Sequence, residues 1–174
     1  MSRNPARLGN VRSARTGKSK YKQGYFVPQN SDKYIGQFPI LYRSSWEFSF
    51  CKFCDLNEKV KKWCAEFFEI PFQISNNGKT ENHRYYLDFY LEMTSDNDPE
   101  KYDRIGIELK PKHETEPPQP PKKQTLKMLE NYEYALKTYK KNLHKWAYAK
   151  EWCEKRNIKF VIITEDDLKK RGII

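Results

Sequence analysis

The chain reads as an α/β protein, a mixed central β-sheet flanked by helices. Strand-patterned stretches come first, a long helical repeat follows, and a further apolar strand closes the order. The return to a sheet through a helix calls for a crossover, which puts a parallel pairing beside antiparallel ones.

The elements follow in chain order. Tyr25, Phe26 and Pro28 open a loop. Trp46, Phe50, Phe53 and Cys54 recur at helical spacing, which predicts a helix over residues 44–55 that Asn57 ends. A short amphipathic piece at residues 60–64 leads into a strand at 66–70, stopped by Pro71. Asn76-Asn77-Gly78-Lys79 has the composition of a hairpin turn. Two strand runs follow, residues 85–92 and 104–110, with a polar turn region between them. Pro111 ends the second, and the prolines of residues 112–123 predict an extended surface loop. From Leu126 to Cys153 apolar residues recur every three or four positions, as one long helix or as two broken near Asn142. Residues 159–164 are apolar on both faces, which predicts a strand interior to the sheet. A short polar end follows.

Charge divides the chain into two parts. Of its 33 Lys and Arg, seven fall in residues 1–30, with no acid among them. The remaining 26 basic residues face 23 acidic ones. Residues 1–30 therefore read as a basic arm too polar to pack, disordered alone and attracted to polyanions, and residues 31–174 as the folded domain. No apolar run reaches the roughly 18 residues that a membrane span needs. No hydrophobic segment follows the N-terminal basic residues, so the sequence predicts a soluble, intracellular protein. Cys51, Cys54, Cys64 and Cys153 read better as reduced, packed thiols than as zinc ligands, since the first two fall in a helix pattern. Gly17-Lys18-Ser19 lacks the upstream glycine and strand of a phosphate loop, which argues against a nucleotide cofactor. The many tyrosines and tryptophans fall on periodic faces, so they read as core.

The chemistry concentrates between residues 85 and 110. Asp88 stands between Leu87 and Phe89, an awkward place for an acid in an ordinary strand. In the next run Ile105, Ile107 and Leu109 alternate with Glu108 and Lys110, so the acid and the lysine leave one face together. Two carboxylates with the Leu109 carbonyl can hold magnesium or manganese, which keeps waters and takes substrate phosphate. Lys110 can then orient water or offset charge in the transition state. The competing reading is a solvated strand face.

These residues resemble the PD-(D/E)XK nuclease superfamily, with Leu87 where the usual proline stands. A wider resemblance covers about residues 25–168. Tyr42-Arg43-Ser44-Ser45-Trp46-Glu47, His83-Arg84-Tyr85-Tyr86-Leu87-Asp88-Phe89, Ile107-Glu108-Leu109-Lys110-Pro111-Lys112 and Phe160-Val161-Ile162-Ile163-Thr164-Glu165-Asp166 resemble the head completion nucleases of T-even-type tailed phages. The resemblance implies a restriction-endonuclease-like core, metal-dependent DNA cleavage, and a place in the virion head or neck beside head or portal-vertex proteins, with assembly in the host cytoplasm. It also implies a catalytic role for Glu47 on the first helix. The spacing Ser44-x-x-Glu47 equally fits a capping box.

Arg43, Arg84 and Lys112 are candidates for phosphate contact, with solvated positions as the alternative. Asn142 and Lys145 fit an exterior helix face better than the site. Other functions open to this pattern are a junction resolvase, a transposon-end endonuclease, or a non-catalytic head-completion or DNA-binding protein.

Overall fold

Apolar spacing builds a four-stranded sheet, two separate two-stranded ribbons and the helices that pack on them. The structure, a computed structural model, describes residues 23–174 apart from residues 67, 77, 78, 97 and 99. Residues 1–22, most of the expected arm, lie outside the described residues.

The expected arm boundary at residue 30 falls too late. Strand β1 (Gly24–Phe26) pairs antiparallel with β2 (Ile40–Tyr42). The Gln29 and Asn30 amides donate to the buried Asp55 carboxylate at 2.8 and 3.0 Å. Those bonds satisfy an acid that would otherwise be costly to bury. Residues 24–30 are thus tied to the end of the first helix.

Helix α1 (Ser45–Leu56) starts at its Ser44 cap and stops at Asn57, close to expectation. Its Phe50 ring lies 4.7 Å from that of Phe89 on the sheet. Residues 60–64, read as a short amphipathic piece, lie in strand β3 (Val60–Ala65), with Val60, Trp63 and Cys64 buried.

The expected strand at 66–70 begins later and does not stop at Pro71. Strand β4 (Glu69–Asn76) runs through the proline and pairs along its length with β5 (Lys79–Tyr86), from Glu69 opposite Tyr86 to Asn76 opposite Lys79. A proline is tolerated because a two-stranded ribbon has an edge at every strand.

The run 85–92 is likewise two strands. β5 ends at Tyr86, and β6 (Phe89–Thr94) begins after a break at Leu87 and Asp88. The chain leaves the ribbon here and enters the main sheet. Leu87 goes into the core.

The main sheet has the order β3, β6, β7 (Tyr102–Leu109), β8 (Lys159–Ile163). Its first two pairings are antiparallel and β7 with β8 is parallel, which makes it mixed as expected. β8 lies at an edge and not in the interior. Its apolar character reflects cover on both faces: α3 (Leu126–Glu154) packs against it, while Val161 and Ile163 share a cavity wall with Phe50 and Phe53 of α1.

α3 is a single helix of 29 residues with no break at Asn142, whose side chain is buried. The proline-rich stretch opens with one short turn, α2 (Lys112–Thr115), and α4 (Glu165–Lys170) forms the polar end. All four cysteines are free and buried, and burial pushes the Cys51 and Cys64 thiols up to about 12. No helix among the described residues is long and apolar enough to cross a membrane.

Candidate active site

The break between β5 and β6 is what positions Asp88. Because β6 pairs with β7 from Phe89 opposite Ile107, Asp88 falls just before the pairing and beside the end of β7. Its Oδ2 accepts the Leu109 amide at 2.8 Å. Glu108, one residue earlier on β7, is 1% exposed. Its Oε2 accepts the Tyr85 hydroxyl at 2.6 Å, and its Oε1 lies 3.2 Å from the Lys145 ammonium and 3.6 Å from that of Lys110. Lys110 also lies 4.0 Å from Glu114.

Burial pushes the Asp88 carboxyl well above the usual carboxylate range. The Glu108 charge, and to a lesser degree that of Glu47, acts in the same direction; the Leu109 amide and the Lys110 ammonium oppose it. The two carboxyls thus share one strand end, with the Lys110 and Lys145 ammonium groups set against Glu108. Burial and the Glu108 charge also raise the Tyr85 phenol, so it remains a donor.

Asp88, Glu108, Leu109 and Lys110 thus come together as the sequence predicts. Glu47 stands nearby but is engaged. Its Oε1 accepts the Ser44 hydroxyl at 3.0 Å and its Oε2 accepts the Arg43 amide at 2.7 Å, while its own amide donates to Ser44 Oγ. This is a capping arrangement whose carboxylate reaches one residue beyond the usual partner. A cavity of about 610 Å³ lies between the start of α1 and the end of β7, lined in part by Trp46, Glu47, Leu109 and His113.

The three candidate DNA contacts lie in exposed ion pairs. Arg43 pairs with Glu66, Arg84 with Glu69 at 3.4 Å, and Lys112 with Asp166 at 3.2 Å. Such pairs are weak and can exchange for phosphate.

Lys145 and Asn142 correct the expectation of an exterior face. Lys145 reaches Glu108 and sits 4.3 Å over the Tyr85 ring; Asn142 is buried. Asn142, Trp146, Ala149 and Cys153 form the buried stripe of α3, so the signal was Asn142 at a position where the periodicity calls for an apolar side chain. Tyr85 reads in the sequence as one more core aromatic, and only its hydroxyl on Glu108 makes it part of the site.

The donor set fits a small hard cation, since magnesium needs only a few carboxylate oxygens and retains water. Among the described residues no three His, Cys, Asp or Glu side chains are gathered closely enough to hold a metal. The set is therefore the Asp88–Glu108 pair, with Glu47 held at its cap.

An acid at a strand junction beside an acid-x-lysine on the next strand is the pattern of the PD-(D/E)XK nucleases, and the mixed sheet with flanking helices is their restriction-endonuclease-like core. Residues 57–165 match the family described as "TnsA-like endonuclease N terminal", a span containing Asp88, Glu108 and Lys110. The chain is also 36% identical over 150 residues to the head completion nuclease of Enterobacteria phage T4, across 86% of this chain and 95% of that protein. The chain belongs to this nuclease family. No solved structure matches it.

Proposed function

We propose that the protein is a magnesium- or manganese-dependent deoxyribonuclease of phage head completion, trimming packaged DNA so that heads and tails can join. The observation that carries the catalytic part is the convergence of Asp88, Glu108 and Lys110 at one end of the sheet. The biological part rests on the name of the phage T4 relative.

In this reading Asp88 and Glu108, with the Leu109 carbonyl, hold the ion. When bound, it supplies positive charge to the scissile phosphate and acidifies water. Lys110 orients the attacking water and offsets charge as the phosphorane develops. Tyr85 and Lys145 hold the Glu108 carboxyl in place at the site. Glu47 completes the constellation if it leaves its cap when DNA binds. Arg43, Arg84 and Lys112 exchange their surface carboxylates for phosphates. The partners are DNA and head or portal-vertex proteins, in the head or neck of a virion assembled in the host cytoplasm.

Purified protein is expected to cleave DNA only when magnesium or manganese is added. Asp88→Ala should keep the wild-type circular dichroism spectrum and lose both cleavage and manganese binding by calorimetry. Equal cleavage by the variant would remove the assignment. The TnsA-like match favours one second reading, an endonuclease acting at transposon ends. Preferential cutting of terminal-repeat duplexes over plain DNA ends would select it.

A further inference from the structure

A second cavity, of about 600 Å³, lies between the β4–β5 ribbon and α3. Lys137 and Lys141 line it from the helix, with Lys140 beside them, and His83 lines it from β5. Lys137, Lys141 and Lys145 are spaced four apart, so they form one row, each about 6 Å further along the axis. That row ends at Glu108, which Lys145 touches. On the opposite wall Glu81, His83 and Tyr85 alternate to one face of β5, and Tyr85 also ends at Glu108. Both walls of the groove therefore lead to the same carboxylate.

The groove carries two imidazole rings, of His83 and His144, as well as charge, and each is backed by a packed aromatic. His83 stacks on Phe72 with centroids 5.3 Å apart, and His144 lies 5.1 Å from Tyr148. His144 donates to the Gln73 carbonyl, which fixes its ring against the ribbon. Two acids share the lining. Glu81 is paired with His83 at 3.3 Å, and Glu133 precedes Lys137 by one helical turn. Lysines still outnumber them.

We infer that this groove holds a single strand of DNA leading away from the acidic pair. The lysine row meets successive phosphates, and the faces of the two imidazoles that line the cavity meet bases. An ammonium row beside ring faces is what a strand without sequence preference requires. A space bounded by one helix and one ribbon also suits a strand better than a duplex. This rests on the nuclease reading for its direction, though binding can be measured without cleavage.

The test is binding of a short labelled oligonucleotide to the full chain, without divalent metal, across a salt series. Lys137→Glu with Lys141→Glu is expected to weaken single-strand binding by about tenfold or more. The slope of log affinity on log salt should fall by about 1.4, at ~0.7 per lost phosphate contact. Manganese binding should not change. Unchanged affinity and slope would overturn the inference.

A cross-link locates the strand. Because the four native thiols are buried, Lys141→Cys adds an accessible one, and a thiol-activated DNA phosphate should trap it. Lys150→Cys, nine residues on and about half a turn round the helix, should not trap. Equal trapping at both, or trapping of duplex alone, would defeat the single-strand groove. Should the binding shift appear while no metal supports cleavage, the groove stands and the nuclease reading falls. If cleavage is normal and the shift is absent, the reverse holds.

Discussion

Tyr85 links the folded core to the acidic pair. Its hydroxyl gives Glu108 Oε2 a partner inside the protein, where the carboxylate has little water to replace it. Tyr85→Phe keeps the ring and leaves that oxygen bare. The expected loss is about 1–3 kcal/mol, read from urea unfolding at neutral pH. An unchanged midpoint would mean that the bond contributes little. Gly106 acts on the same site from behind. A Cβ there would meet Leu87 Cδ1 at 2.9 Å and Cys153 Sγ at 3.3 Å, both buried, so only a glycine lets α3 lie this close to β7. Gly106→Ala should cost about 1–3 kcal/mol through overpacking. By moving α3 it should also lengthen the reach from Lys145 to Glu108. Unfolding measurements together with manganese calorimetry would record the two effects separately.

The ends of α1 and α4 use one device with different consequences. At α4 the Asp167 Oδ2 accepts the Thr164 amide at 2.9 Å and its hydroxyl at 2.7 Å. Those bonds, the amide first, hold the Asp167 carboxyl below its ordinary value of 3.8. A lowered folded value means that ionised Asp167 stabilises the native state above the ordinary value. That contribution fades as pH falls through the lowered one. Asp167→Asn should therefore lose stability at pH 7 and little at pH 2, which urea midpoints at the two values would show. At α1 the equivalent acid is Glu47, and its charge also bears on Asp88. Ser44-x-x-Glu47 made the cap legible, but spacing could not tell a carboxylate held at the cap from one aimed at an ion. Other features were hidden for physical reasons. Apolar and aromatic residues on both sides of Asp88, from Tyr85 to Leu91, conceal the transfer between ribbon and sheet, because each half packs against a different partner. β8 reads as interior since helices cover both its faces, and hydrophobicity reports cover, not hydrogen-bonded neighbours. Lys145 looks like any solvated lysine until Glu108 is placed opposite it. By contrast, the helical character of α3, though not its unbroken length, and the strand β7 are plain from their periods of 3.6 and 2.

At the scale of the whole chain, charge and chemistry are kept apart. The seven basic residues of the expected N-terminal arm, Arg3 to Lys22, carry most of the net charge of +10, while the rest of the chain, which holds the acidic pair, is nearly balanced. A balanced domain lets Asp88 and Glu108 approach a phosphate without a surrounding field of one sign. An arm of one sign raises the encounter rate with any polyanion, in a salt-dependent way. If the arm serves that purpose, removing residues 1–22 should leave turnover at saturating DNA nearly unchanged and raise KM. The slope of log affinity on log salt should fall by up to about 6, since each phosphate contact contributes ~0.9 on a duplex. The groove variants should produce their smaller change in slope equally in the shortened chain, because the two sets of lysines and arginines act at separate places. If the arm instead contacts a protein of the head, the shortened chain will bind and cut naked DNA with wild-type KM and slope.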